Sequence, residues 1–379
     1  MTGWPRAMCV ALLLAISAPA LSQQAAPATP ATQNGRDVYA RFRGGLADPN
    51  CDNDTDSARW RGHFAGTPAR LVSADDDVLP LFAYVVDALR SAGLPTEYAL
   101  IPFVESGYKP GARSAGGPAG LWQMIAVTAR DHSIPIRAGY DGRLSPVDST
   151  RAAVRYLKTL HGMFAGDWRL AVMAYNAGEY RVFSALRQSG QAARSADPEK
   201  LTSLSGITRA YVRKLHALSC LLDRADDHDE WMKAMDRPVP LLQAFQIPTG
   251  TPNLQAWAAT NGRDASMLRR LNPAFADGRI ASSLGHPEIL APVQLPASPF
   301  STAAPTAAID VDNVAAESTH ADAPKQTVRT HRVSRGDSLQ RIAHRYKLRM
   351  ADLMALNGLA PRSALRPGMV LKLDPDAGE

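Results

Sequence analysis

The segment from Tyr98 to Pro110 places Glu105 at the last turn of a helical stretch that is otherwise mostly apolar. Two effects act on its carboxylate in one direction. The C-terminal end of a helix carries partial negative charge and disfavours a further anion. Desolvation beside Phe103 and Val104 also disfavours the ionised form, so the spacing predicts a raised pKa. A carboxyl group that keeps its proton near neutral pH is what a general acid for glycosidic-bond cleavage requires. On this segment alone, a partly exposed helix-end Glu with an ordinary pKa fits equally well. Two downstream clusters shift the balance. Ser114 to Ile125 reads as a glycine-rich turn feeding an apolar helix, with Trp122 and Gln123 beside it. Glycines there let backbone approach a ligand closely. Ala174-Tyr175-Asn176-Ala177-Gly178 ends a helix at a glycine, with Tyr175 and Asn176 as the polar groups near its apolar face. Each cluster could be structural: Trp122 as core, Tyr175 as a helix end, Gly178 as a C-terminal cap. Together they describe a sugar site, with polar groups and an aromatic platform near a candidate acid.

Helical periodicity must position these residues. From Asp77 to His228 apolar residues recur at three- and four-residue spacing, as in Val78, Leu79, Leu81, Phe82, Val85, Val86 and Leu89. Asp75 to Asp77 would cap that first helix, and Gly93-Leu94-Pro95 would end it. A second helix is expected from Thr96 to about Ser106, and others over 119–131, 148–164, 167–177 and 207–223. Asp141, Asp148 and Asp167 read as caps. Residues 37–73 show no sustained period and are expected to be irregular.

The chain has 379 residues, 45% hydrophobic and 21% charged, which suits a globular protein and excludes a fibrous, wholly disordered or polytopic membrane chain. Its net charge of +6 suits an anionic polymer or surface without requiring nucleic acid. No basic run is interleaved with stacking aromatics, so no nucleic-acid partner is expected. Residues 1–20 hold Arg6, an apolar run from Val10 to Ile16 and Ala18-Pro19-Ala20, the pattern of a cleaved signal peptide and hence of export to the periplasm. Cys9 precedes most of that run, so it cannot be a lipoprotein cysteine. Cys51 and Cys220 remain and could close a disulfide in an oxidising compartment. Neither has a second ligand at metal-site spacing, and no metal or cofactor is expected.

The motifs Glu105-Ser106, Gly120-Leu121-Trp122-Gln123 and Ala174 to Gly178, in this order and spacing, resemble the lysozyme-like catalytic domain of the soluble lytic transglycosylases. Arg143 to Pro146, followed by Ser149-Thr150, Ala152-Ala153 and Tyr156-Leu157, matches the same family. The whole chain resembles the membrane-associated lytic murein transglycosylases of the D type. The resemblance implies cleavage of the β-1,4 bond between N-acetylmuramic acid and N-acetylglucosamine, with Glu105 as acid and then base and a 1,6-anhydro product. It implies substrate contacts at Ser106, Ser114, Trp122, Gln123, Met124, Tyr175 and Asn176. Tyr180 stands where relatives usually have Gly.

The terminal segment, with His331 to Leu339, Ile342, Tyr346, Leu353, Asn357 and Leu365 to Leu373, resembles a LysM module, a βααβ unit that binds glycans. Its groove would lie between Gly336-Asp337-Ser338 and Asn357-Gly358-Leu359. The expected organisation is a signal peptide over 1–20, a leader and irregular segment over 21–75, and a catalytic domain over 76–235. A degenerate LysM-like unit over 236–297, a flexible linker over 298–328 and a LysM module over 329–374 complete it. The fold class expected is mainly α, a lysozyme-like helical domain followed by small βααβ modules. Peptidoglycan glycan strands are the implied partner; peripheral association with membrane or other wall enzymes, and the oligomeric state, stay open. Two alternatives stand beside this reading: a hydrolytic muramidase positioning water through Glu179, and an inactive wall-binding scaffold.

Overall fold

The computed structural model describes residues 29–51, 55–295, 330–333, 339, 342, 343, 346, 348, 350–359, 366 and 368–373. The expected signal peptide, the whole of the expected linker, and Gly336, Asp337 and Ser338 lie outside the described residues.

Two short strands, β1 (Thr29–Pro30) and β2 (Thr32–Asn34), lead to α1 (Gly35–Arg43), whose first turn is capped by the Asn34 side chain. Helices α2 (Thr55–His63) and α3 (Thr67–Val72) follow. The irregular segment expected over 37–73 is thus largely helical. Each piece is too short to show a period, yet α1 buries Val38, Tyr39 and Phe42 as a stripe against the next helix, α4 (Val78–Ser91). Tertiary packing of an apolar face stabilises such short helices. The first-turn cap of α4 comes from Asp76, which accepts from the Val78 amide. Helix α4 itself is buried almost all round, as suits the centre of a helical core.

A 3-10 turn over Thr96–Leu100 runs into α5 (Ile101–Glu105), so the second expected helix is two pieces and Glu105 is its last residue. The helix expected from residue 119 begins only at α6 (Ala126–Asp131), because Gly120 and Gln123 both adopt positive φ and turn the chain before it. A hairpin of β3 (Ile136–Arg137) and β4 (Tyr140–Asp141) precedes α7 (Pro146–Met163), α8 (Trp168–Ala177), α9 (Glu179–Gln188), α10 (Gly206–Asp226) and α11 (Asp229–Met235). Asp167 caps α8, and Asp141 caps a 3-10 turn over Gly142–Leu144. Asp148 does not cap α7. Ser145 does, and the Asp148 carboxylate instead accepts the Tyr140 hydroxyl at 2.6 Å. Cys51 and Cys220 are disulfide-bonded, tying the N-terminal segment to α10.

Strand β5 (Pro238–Pro240) pairs with β2. Beyond it, β6 (Leu242–Gln246), α12 (Leu254–Thr260), α13 (Ala265–Leu271) and β7 (Glu288–Pro292) form a βααβ unit with antiparallel strands. Strand β8 (Gln294–Leu295) returns to β1. Near the C-terminus, β9 (Thr330–Arg332), α14 (Met350–Leu356) and β10 (Val370–Lys372) enclose a small core of Val333, Ile342, Ala343, Leu353, Leu371 and Leu373.

One device recurs in both units. Asn272 follows Leu268 by four residues; its amide donates to the carbonyls of Leu268 and Leu290 and its oxygen accepts from the Leu290 amide, all at 2.8 Å. Asn357 follows Leu353 by four residues and makes the same set to Leu353 and Lys372, at 2.8, 2.9 and 2.7 Å. Each Asn clamps the closing strand to the last helix. The Asn357 side chain, expected at a glycan groove, is therefore occupied inside its own unit, while Leu359 packs against the small core. The first unit is fixed to the helical domain: the Asp141 amide donates to Ala274 at 3.1 Å, Arg270 pairs with Asp77 at 2.8 Å and Arg151 with Glu288 at 2.7 Å. Among the described residues no helix is long and apolar enough to cross a membrane.

Candidate active site

Glu105 is half-buried at the end of α5, and burial pushes its carboxyl above the ordinary glutamate range. The hydroxyl of Tyr211, on α10, donates to its Oε1. That bond and the nearby Lys214 charge favour the carboxylate and pull against the burial effect. Burial pushes the Tyr211 phenol well up, with the Glu105 charge adding to it, so Tyr211 remains a donor. Lys214 is itself held over the Trp60 ring, 4.9 Å from its centroid. The sequence gives no local sign of Tyr211, which lies 106 residues from Glu105.

Beside Glu105 opens a cavity of about 420 Å³ whose walls include Gln123, Met124, Tyr156, Tyr175 and Asn176. Among the described residues lining it, Glu105 is the only carboxylate. Glu179 stands beyond its rim next to Tyr156, whose phenol is pushed up to about 12 by burial and by that neighbouring carboxylate.

The glycine-rich turn forms one wall, and its shape requires a glycine. A Cβ on Gly120 would come 1.7 Å from the Arg143 carbonyl oxygen, and its φ of +81° is strained for any other residue. Arg143 underlies the turn. Its guanidinium forks onto Asp141 at 3.0 and 2.9 Å and donates to the Gly117 carbonyl at 2.7 Å. Burial opposes ionisation of Asp141, but the hydrogen bonds and charge of Arg143 outweigh it and hold the carboxyl below its usual range. Gln123 takes φ +46°. Its amide donates to Gly120 at 2.8 Å and Ala112 at 3.3 Å while its oxygen accepts the Ser114 hydroxyl at 2.7 Å.

The remaining candidates divide. Tyr175 lines the cavity and its hydroxyl donates to the Trp122 carbonyl at 2.9 Å, joining α8 to the turn. Asn176 is exposed on the cavity wall and accepts from Thr208 at 3.0 Å, joining α8 to α10. Trp122 is fully buried, its indole donating to Thr150 at 3.0 Å; an aromatic platform at the surface is not what it supplies. The Ser106 hydroxyl lies 2.8 Å from the Leu121 carbonyl and 3.1 Å from that of Pro102, bracing α5 against the turn and outside the cavity lining. A motif match places these two residues near Glu105 but does not fix the face a side chain takes. Among the described residues no group of three or more His, Cys, Asp or Glu is placed to hold a metal ion.

Comparison with known proteins bears on this geometry. The family "Transglycosylase SLT domain" matches residues 86–197, and "LysM domain" matches residues 331–374. The chain is 30% identical to "Membrane-bound lytic murein transglycosylase D" of Escherichia coli K12 over 78% of its own length and 63% of that protein. It thus spans under two thirds of that relative. It is also 37% identical over 83 residues to "Peptidoglycan transglycosylase gp16" of Escherichia phage T7, covering 22% of this chain and 6% of that one. The crystal structure of the 70 kDa soluble lytic transglycosylase of Escherichia coli aligns over 50% of this chain and 33% of that one, with a TM-score of 0.30 at 20% identity.

Proposed function

We propose, from the premise that this chain carries an SLT transglycosylase domain and a C-terminal LysM domain, that it is an exported lytic transglycosylase acting on peptidoglycan glycan strands in the periplasm. The observation that carries the reading is Glu105, its carboxyl raised above the ordinary range by burial, as the sole carboxylate among the described residues lining its cavity. Glycosidases that retain or invert with water or an enzyme nucleophile ordinarily need a second carboxyl group. A single acid suits substrate-assisted chemistry instead. Glu105 donates its proton to the glycosidic oxygen as the bond to C1 breaks, and the muramoyl N-acetyl group stabilises the developing positive charge. The resulting carboxylate takes the proton of the C6 hydroxyl, whose oxygen closes on C1 to give the 1,6-anhydro end. Tyr211 supports the second half: its donated hydrogen bond stabilises the carboxylate after proton transfer.

Gln123, Ser114, Met124, Tyr175 and Asn176 are the residues we assign to the glycan cleft, with Ser106 and Trp122 acting behind it. The C-terminal LysM domain would hold the strand through Gly336, Asp337, Ser338 and Leu359. The test is the turbidity of purified sacculi. Wild type clears them, and Glu105→Gln leaves them intact while still cosedimenting with them. Clearing by Glu105→Gln at the wild-type rate would dismiss Glu105 as the acid, and sacculi left intact by wild type are what the inactive-scaffold alternative requires.

A further inference from the structure

The catalytic cavity does not end at Asn176. Ala177 lines it on one side and on the other lines a second cavity of about 400 Å³ between α9 and the start of α10. The two share Ala177 as a wall, and the Asn176 to Thr208 hydrogen bond joins a residue lining the first to one lining the second. The second cavity has a consistent chemistry. Its polar lining comprises Arg181, Ser184, Gln188, Ser203, Ser205 and Thr208, and among the described lining residues there is no carboxylate. Several of these groups are spent internally: Ser205 caps α10 and meets Thr208, and Ser184 accepts from Gln188. Arg181 is not. It is exposed and makes no hydrogen bond or ion pair among the described residues. A cation left unpaired beside hydroxyls, in a hollow that adjoins the glycan cleft across Ala177, suits a planar carboxylate on the same polymer.

We infer that this second cavity is a substituent subsite that takes the carboxylate-bearing stem peptide of a muramoyl residue, with Arg181 as its specificity-determining cation. The inference rests on the peptidoglycan reading of the first cavity. Bare glycan offers the subsite no charged group beyond a short lactyl acid, while a stem peptide carries several carboxylates on a reach long enough to enter it.

The experiment measures kcat/KM of the full chain on glycan strands bearing tetrapeptides and on the same strands stripped by an amidase. Wild type is expected to prefer peptide-bearing strands. Arg181→Gln should lower kcat/KM on them about fivefold more than on stripped strands, as loss of one solvent-exposed ion pair implies. Arg181→Lys should keep most of the preference, and Gln188→Glu, which adds a like charge to the substrate's, should reduce it. The stripped strand reports folding of every variant. A wild-type preference ratio that Arg181→Gln and Gln188→Glu both leave in place overturns the subsite. Failure of wild type to cleave either strand overturns the peptidoglycan reading instead.

Discussion

At the scale of single residues, the proposed acid catalysis rests on opposing influences at one carboxyl. Burial raises the Glu105 pKa; Tyr211 and Lys214 lower it from that level. Acid catalysis requires the proton, so the alkaline limb of the kcat/KM profile reports this pKa in the free protein. Tyr211→Phe removes a donor that favours the carboxylate and leaves the burial intact. The pKa then rises, and the alkaline limb is expected to move to higher pH, with kcat falling because the carboxylate formed in the first half-reaction loses its hydrogen bond. A limb that moves down or stays put would separate Tyr211 from the proton on Glu105. Sequence made Glu105 legible, because its helix end and apolar neighbours are local. It also marked Gln123, Tyr175 and Asn176, which stand together on the cavity wall. Tyr211 was beyond reach, since only the tertiary packing of α10 beside α5 brings it to Glu105. Trp122 and Ser106 show the converse limit: both lie next to the site in sequence, and both are turned away from it into hydrogen bonds of the frame.

At the scale of elements, the site is a meeting of helix ends and one strained turn. The long helices were readable from their period, α4 above all, with ends fixed by caps such as Asp167. The glycine-rich turn was readable as a turn but not as a structure anchored by Arg143, because the bond from Arg143 to the Gly117 carbonyl needs the β3–β4 hairpin to return toward it. The short helices α1 to α3 escaped the pattern because their burial comes from neighbours rather than from a long stripe of their own. The βααβ unit adds a test of its own. Asn272 is buried and its hydrogen bonds fasten β7 to α13. Asn272→Ala leaves the backbone groups of Leu290 without those partners and is expected to destabilise by about 2–4 kcal/mol. Denaturant unfolding measures it. A change below about 0.5 kcal/mol, typical of surface positions, would mean that the clamp contributes nothing.

At the scale of the molecule, side-chain fastenings tie the βααβ unit and the N-terminal segment to the helical domain. One is the docking of the βααβ unit through Arg270 to Asp77 and Arg151 to Glu288. Another is the disulfide, which closes a separation of 169 residues. A loop of that length gives a chain-entropy stabilisation of about 5 kcal/mol as an upper figure. Reduction is therefore expected to lower the melting temperature of the folded chain, and the Cys51→Ser, Cys220→Ser pair to match the reduced wild type. Equal melting temperatures with and without reductant would remove the disulfide from the stability of the fold. The composition had left room for several domains and for an anionic partner of unstated kind. The proposed function makes that partner a glycan polymer, with uncharged sugar contacts proposed to select the strand and Arg181 proposed to add charge.

The central claim is that Glu105 alone drives an intramolecular attack and that water takes no part. The mass of the muropeptides released from purified sacculi tests it most directly. Products one water lighter than their hydrolytic counterparts, resistant to borohydride reduction and absent with Glu105→Gln, are the predicted result. Products with reducing ends would contradict it and establish a hydrolytic muramidase in its place.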